Sequence, residues 1–262
     1  MTILVGYPPN LEAPGVLSLA QMLARSTGEG LLVCTVSQDP NAAQLIGGVE
    51  AETVVVPGKS VANTLIDVAQ QAGASMIVVG SAMGVIERVT VSSVADRLLH
   101  SSPLPVAIAT RGFRGTDGPI SRLTLGFVGD VRQRKQMNDV GTLASYLHAE
   151  LRFASFAVNI AGPAGLRGPM LASAVLREWE EVVRRRFDVS ISQIPDIAAR
   201  EPELAVGMGY DWADAIAGIE WRPDDVLVVG SSHAGPLSRV FVGKRSTKIM
   251  RNSSVPVIAL PR

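Results

Sequence analysis

The chain has a single cysteine in 262 residues, 5% aromatic residues, no excess of either charge, and no apolar run approaching a membrane span, which needs ~20 residues. The lone Cys34 excludes a disulfide within the chain, and its place in the apolar run LLVCTV points to a buried core thiol. Lys plus Arg and Asp plus Glu both number 24, with no long block of one sign. That balance argues against a nucleic-acid groove or a basic membrane patch. The opening, MTILVGYPPN, is too soon broken by proline for a signal peptide. A soluble, cytoplasmic protein is expected. The three histidines, His100, His148 and His233, are scattered, with no cysteine or carboxylate at ligand spacing, so no metal site is read. Gly-x-Ser-x-Gly is also missing, and no motif ties a serine, a histidine and an acid into a triad.

What the chain does contain is a repeat. Val54–Gly80 (VVVPGKSVANTLIDVAQQAGASMIVVG) lies without a gap over Leu204–Gly230 (LAVGMGYDWADAIAGIEWRPDDVLVVG), 150 residues later. Each copy runs from an apolar stretch through a Gly-containing turn and a helix-period segment to Val-Val-Gly-Ser. One supersecondary unit has been used twice.

The first half reads as strands at Ile3–Gly6, Leu31–Val36, Thr53–Val56, Met76–Val79 and Val106–Ala109. Helices fall at Gly15–Ser26, at Ser60–Gln71 with Ser60 as N-cap, and at Val94–His100. Alternating strands and helices predict a parallel sheet with helices on both faces. Aliphatic residues must form the core, since hydrophobic residues make up 47% of the chain but aromatics so little. The Gly- and charge-rich Arg111–Ser121 reads as a linker between a first domain, 1–110, and a second, 122–262. Leu123–Val128, Leu151–Val158, Val226–Val229 and Val257–Leu260 then repeat the strands, and Leu143–Leu147 falls on the first helix. The offset between copies grows from 120 (Gly6 and Gly126) to 150 (Val56 and Val206), which places an insertion within Asn159–Glu203. It holds an amphipathic helix, Met170–Phe187, and a strand-like Val189–Ile194. That helix is either a crossover with its charged face in water or a partner-binding surface. Asp224-Asp225 reads as a solvated turn, and Trp212 as packing its helix beside the sheet.

Each half also sends a Gly-Ser loop out of its fourth strand. The first runs from Gly80-Ser81 through Gly84 to Ser92-Ser93. The second runs from Gly230-Ser231 through His233 and Gly235 to Gly243-Lys244-Arg245. Such a loop at the carboxyl end of a parallel strand, before a helix start, offers backbone N–H groups and a positive dipole to a phosphate. The alternative is a plain connection from strand to helix. Pro57-Gly58-Lys59-Ser60 imitates a P-loop, but Thr53 stands where its first glycine belongs, and a capped turn is the reading taken.

On V-V-G-S, on Ser92–Val106 (SSVADRLLHSSPLPV) and on Gly243–Val257 (GKRSTKIMRNSSVPV), the chain resembles a tandem universal stress protein, two copies of the UspA-like fold in one polypeptide. The resemblance implies an α/β architecture of two flavodoxin- or Rossmann-like domains, each a five-stranded parallel sheet with helices on both faces. It also implies an internal pseudo-dimer with the final strands, Pro105–Ala109 and Pro256–Leu260, near the shared interface, and a homodimer as a further assembly. ATP-binding members carry Gly, two residues, Gly, nine residues, then Gly with Ser or Thr. Here His233 holds the middle glycine position of copy two and Lys244 the hydroxyl position; in copy one Met83 and Ser92 replace glycines. The family's Asp after the first strand corresponds to Pro8 and Val128, with Asn10 and Asp130 two residues beyond. The implied ligand is an adenine nucleotide, ATP or AMP with Mg, held in the second copy. The resulting expectation is a non-enzymatic stress-response protein that senses a nucleotide. A scaffold with decayed sites is the alternative, and a slow nucleotide hydrolase a third reading for which no general base is identified.

Overall fold

The computed structural model describes residues 1–9, 13–45, 50–81, 91–129, 133–158, 169–230 and 244–261. The first half consists of β1 (Thr2–Gly6), α1 (Pro14–Thr27), β2 (Gly30–Val36), a 3₁₀ turn at Pro40–Leu45, β3 (Glu52–Val56), α2 (Val61–Gln71), β4 (Ala74–Gly80), α3 (Ser93–Ser101) and β5 (Val106–Ala109). The second consists of β6 (Arg122–Gly126), α4 (Arg134–Tyr146), β7 (Glu150–Val158), α5 (Pro169–Ser192), α6 (Pro195–Ala198), β8 (Glu203–Gly209), α7 (Trp212–Ala217), β9 (Asp225–Gly230), α8 (Lys244–Arg251) and β10 (Val257–Leu260). Local chemistry sets several boundaries. Pro14 opens α1, where its missing N–H costs nothing, and Gly28 closes it at φ 72°, its N–H returning to the Ala24 carbonyl. Ser60 does precede α2, but its side chain does not cap the helix; its Oγ accepts from Arg97 Nη1 at 3.2 Å.

All ten strands join one sheet in the order β3-β2-β1-β4-β5-β10-β9-β6-β7-β8. Within each half every pairing is parallel. The halves meet at one antiparallel seam, where Val257, Ile258 and Ala259 of β10 lie opposite Ile108, Ala107 and Val106 of β5. The carboxyl ends of the two parallel sets therefore point to opposite rims. One apolar core lies on the face covered by α1, α4, α5 and α6; a second lies under α2, α3, α7 and α8. Both cores contain residues of both halves. Cys34 is fully buried in β2, and burial pushes its thiol up to about 11. The segment between β5 and β6 is packed down as well: Ile120 is buried, its N–H donates to Ser26 Oγ at 2.9 Å, and Arg25 Nη1 donates to the Thr116 carbonyl at 3.3 Å.

Two sequence expectations are overturned. Val189–Ile194 is not strand-like: α5 continues to Ser192, and Pro195 opens the short α6. Val183, Phe187 and Ile191 recur at four-residue spacing toward the core while Val189 faces solvent, so the helical period prevails over the local alternation. Asp225 is not part of a solvated turn either; it opens β9 with no exposed surface. Arg122 grips its carboxylate with Nε to Oδ1 at 2.9 Å and Nη2 to Oδ2 at 2.7 Å. Beside this pair Arg152, 1% exposed, donates from Nε to Thr124 Oγ1 and from Nη1 to the Glu220 carbonyl, and lies 4.9 Å from the Trp221 ring centroid.

Candidate functional site

In the second half the strand order reverses around β6, which has β9 on one side and β7 on the other. Ligands of open parallel sheets bind beyond the carboxyl ends of the strands at such a point. A cavity of about 350 Å³ lies there, lined by Phe127 and Val128 just after β6, by Ser155, Phe156 and Val158 of β7, and by Trp179, Val183, Arg186, Trp212 and Ile249. Trp179 and Val183 come from α5 on one face of the sheet, and Trp212 and Ile249 from α7 and α8 on the other. The cavity therefore bridges the two layers above the strand ends.

Its walls are fixed from below. Phe127, Phe153 and Phe187 form a ring cluster with centroids 5.5–6.2 Å apart, two of the three pairs edge to face. Each such pair adds ~0.5–1.5 kcal/mol beyond area burial, so α5 is locked onto β6 and β7. The lip is held by Gln133, 5% exposed, whose Oε1 accepts from the Val128 N–H at 3.0 Å and whose Nε2 donates to the Gly126 carbonyl. Gly129, at φ 68°, lies under the aliphatic stem of Arg186, whose Cδ a Cβ there would meet at 3.0 Å. On the far side the Asp211 carboxylate caps α7 by accepting the Asp214 N–H at 2.9 Å, which presents Trp212 at the first turn. The result, among the described residues, is an aromatic slot with one guanidinium at its border and no carboxylate, histidine or cysteine in its lining.

The first half differs at the matching positions. Strand register equates Phe127 with Tyr7, Phe156 with Val36 and, from the repeat, Trp212 with Ala62. Tyr7 is turned inward, its hydroxyl accepting the Ala13 N–H at 3.1 Å.

Of the residues picked from sequence, Gly80 and Gly230 end β4 and β9. Ser81 donates its N–H to the Ala109 carbonyl at 3.0 Å. Ser92 caps α3, its Oγ accepting the Ala95 N–H at 3.0 Å, and Ser93 is the first residue of that helix. Lys244 and Arg245 open α8; their side chains lie outside the described residues, as do Gly84, Ser231, His233, Gly235 and Gly243. Sequence reasoning does not single out Trp179 and Arg186. They stand at i and i+7 with Val183 at i+4, a helical stripe that could have marked one wall.

Comparison with known proteins agrees with this architecture. The universal stress protein family is matched by residues 41–110. Universal stress proteins of Mycobacterium tuberculosis and Mycobacterium bovis are each 31% identical over 296 aligned positions, covering 100% of this chain and 100% of theirs. The fold is shared with a universal stress protein structure from Pseudomonas aeruginosa (TM-score 0.62, 17% identity, covering 99% of this chain and 93% of that one). It is likewise shared with one from Archaeoglobus fulgidus (TM-score 0.59, 18% identity, 98% and 97%). By sequence over its whole length and by fold, the chain belongs to the universal stress protein family.

Proposed function

We propose that, within the stress-response role that membership of the family supports, the second half of this chain binds an adenine nucleotide and acts without catalysing a reaction. The observation that carries this reading is the slot at the β6 switch point, with an indole from each layer of the fold among its walls. Planar bases stack on aromatic faces, gaining ~1–3 kcal/mol each. Among the described residues the lining carries no carboxylate, histidine or thiol to serve as a general base, which supports a sensor over a hydrolase.

A second reading, a nucleotide-free scaffold, has its own support. A Cβ added at Gly80 would lie 2.9 Å from Val16 Cγ2, and one at Gly230 within 2.6–2.8 Å of the Gln136 side chain. Close packing of the first helix of each half thus accounts for both glycines with no ligand involved.

Tryptophan fluorescence separates the two readings. Trp179 and Trp212 line the slot, whereas Trp221 stacks against Arg152 at the other rim. Titration with adenosine, AMP, ATP and cyclic AMP, with and without Mg²⁺, should quench emission saturably at one site per chain. Trp179→Phe and Trp212→Phe should each reduce the quench while Trp221 emission persists. Unchanged emission and no heat of binding at millimolar nucleotide would instead favour the scaffold.

A further inference from the structure

A second cavity, of about 290 Å³, opens beside the aromatic slot between the start of α4 and the end of α5. Among the described residues its lining contains Arg134, Arg185, Arg186 and Ser190, and no carboxylate. Among the described residues, nearby acids are engaged elsewhere or lie outside the lining. Glu180 pairs with Arg184 at 2.7 Å and Lys135 with Asp139 at 2.6 Å, while Glu181 and Asp188 are exposed on α5 away from the cavity. Arg134 is oriented by its Nη2 bond to the Gln193 carbonyl at 2.8 Å. Among the described residues, the guanidinium groups of Arg185 and Arg186 have no hydrogen bond or ion pair. Three like charges around one concavity repel each other, and a multivalent anion removes that cost. Arginine forks suit phosphate oxygens in particular. Arg186 lines both cavities, its stem resting on Gly129 between them.

We infer that this cleft is the phosphate site of the bound nucleotide: the base lies in the Trp179–Trp212 slot and the phosphates pass Arg186 to reach Arg185 and Arg134. The inference rests on the nucleotide reading above. It assigns the phosphates to the α4–α5 flank in place of the loop that follows β9.

The test uses the full chain, titrated calorimetrically with adenosine, ADP and inorganic pyrophosphate, in wild type, Arg185→Gln, Arg185→Lys and Arg186→Gln. ADP should bind wild type at least about tenfold more tightly than adenosine, the equivalent of one charge-assisted hydrogen-bond pair. Arg185→Gln should erase most of that margin and leave adenosine affinity and melting temperature unchanged; Arg185→Lys should restore part of it. Arg186→Gln should lose the margin too, but its stem helps wall the slot, so Arg185 is the deciding position. Equal ADP affinity in wild type and Arg185→Gln, with adenosine still bound, would place the phosphates elsewhere and overturn the assignment. If neither adenosine nor ADP binds, the nucleotide reading fails and pyrophosphate decides the rest. Binding to wild type that is lost in Arg185→Gln would sustain the cleft as an anion site, and no binding would end the idea.

Discussion

Asp225 shows how much one residue carries when two arginines are buried around it. Its carboxylate takes two bonds from Arg122 and the Arg222 N–H at 2.9 Å, and lies 3.5 Å from Arg152 Nη2. Burial lowers the affinity of Arg122 for its proton, but hydrogen bonding to Asp225 and its charge outweigh this and raise it. Arg152 goes the other way, lowered by burial and then by the positive charge of Arg122. Such a cluster is no guarantee of net stability over an apolar core, yet removing its only buried anion is costly. Asp225→Asn is therefore expected to destabilise the protein by ~3–5 kcal/mol, read as a fall in the urea midpoint at constant slope. Replacing the partially exposed Glu203, 3.5 Å from Arg122 Nη1, should cost under ~1 kcal/mol. Equal losses at the two positions would show that the burial of Asp225 is not what matters. This network occurs only in the second half, where Thr2, Leu32 and Ser75 stand at the register-matched positions of the first.

Among the elements, α5 and α7 build the site, and they illustrate what the sequence discloses. The unit β8–α7–β9 was legible because its residues align without a gap on β3–α2–β4. Within it, Gly207 and Gly209 let α7 settle onto the end of β8: a Cβ at Gly207 would run into the Ala215 carbonyl oxygen, and one at Gly209 into the Ala215 N–H. Backbone cannot step aside as a flexible side chain can. Gly207→Ala should consequently cost ~3 kcal/mol or more, whereas Gly118→Ala, whose Cβ would have only Thr116 Oγ1 at 3.6 Å, should stay within ~0.5 kcal/mol. Thermal melts of the pair decide it; similar melting temperatures would remove close helix–strand approach as the reason for Gly207. The α5 wall was harder to see. Its amphipathic period was visible from Met170 to Phe187, but the last turn alternates like a strand. Nothing local says which strand ends the helix will cover. Trp179 and Arg186 become site residues only because the Phe127–Phe153–Phe187 cluster fixes α5 over β6 and β7, a contact between segments 60 residues apart in sequence.

At the scale of the whole molecule, the repeat and its growing offset made two α/β units legible, while no local pattern could show one sheet running through both. That continuity has a mechanical consequence. Ile108, Ala107 and Val106 have their outer ladder partners in β10, and each apolar core draws residues from both halves. Unfolding either half alone would expose a bare strand edge and split both cores. A single cooperative transition is expected, although chains beyond ~150 residues often unfold in stages. The chain carries its own reporters. All three tryptophans, Trp179, Trp212 and Trp221, lie in the second half, and the only cysteine, Cys34, lies in the first. Cys34 is fully buried with its thiol pushed up to about 11, so it reacts with a thiol reagent only once β2 is released. Across a urea series, Cys34 labelling and tryptophan emission should share one midpoint, and Asp225→Asn should shift both by the same amount. Labelling of Cys34 at urea concentrations that leave tryptophan emission native would mean that the seam between β5 and β10 is too weak to couple the halves. Coincident curves would show that the β5–β10 seam and the shared cores bind the two halves into one unfolding unit.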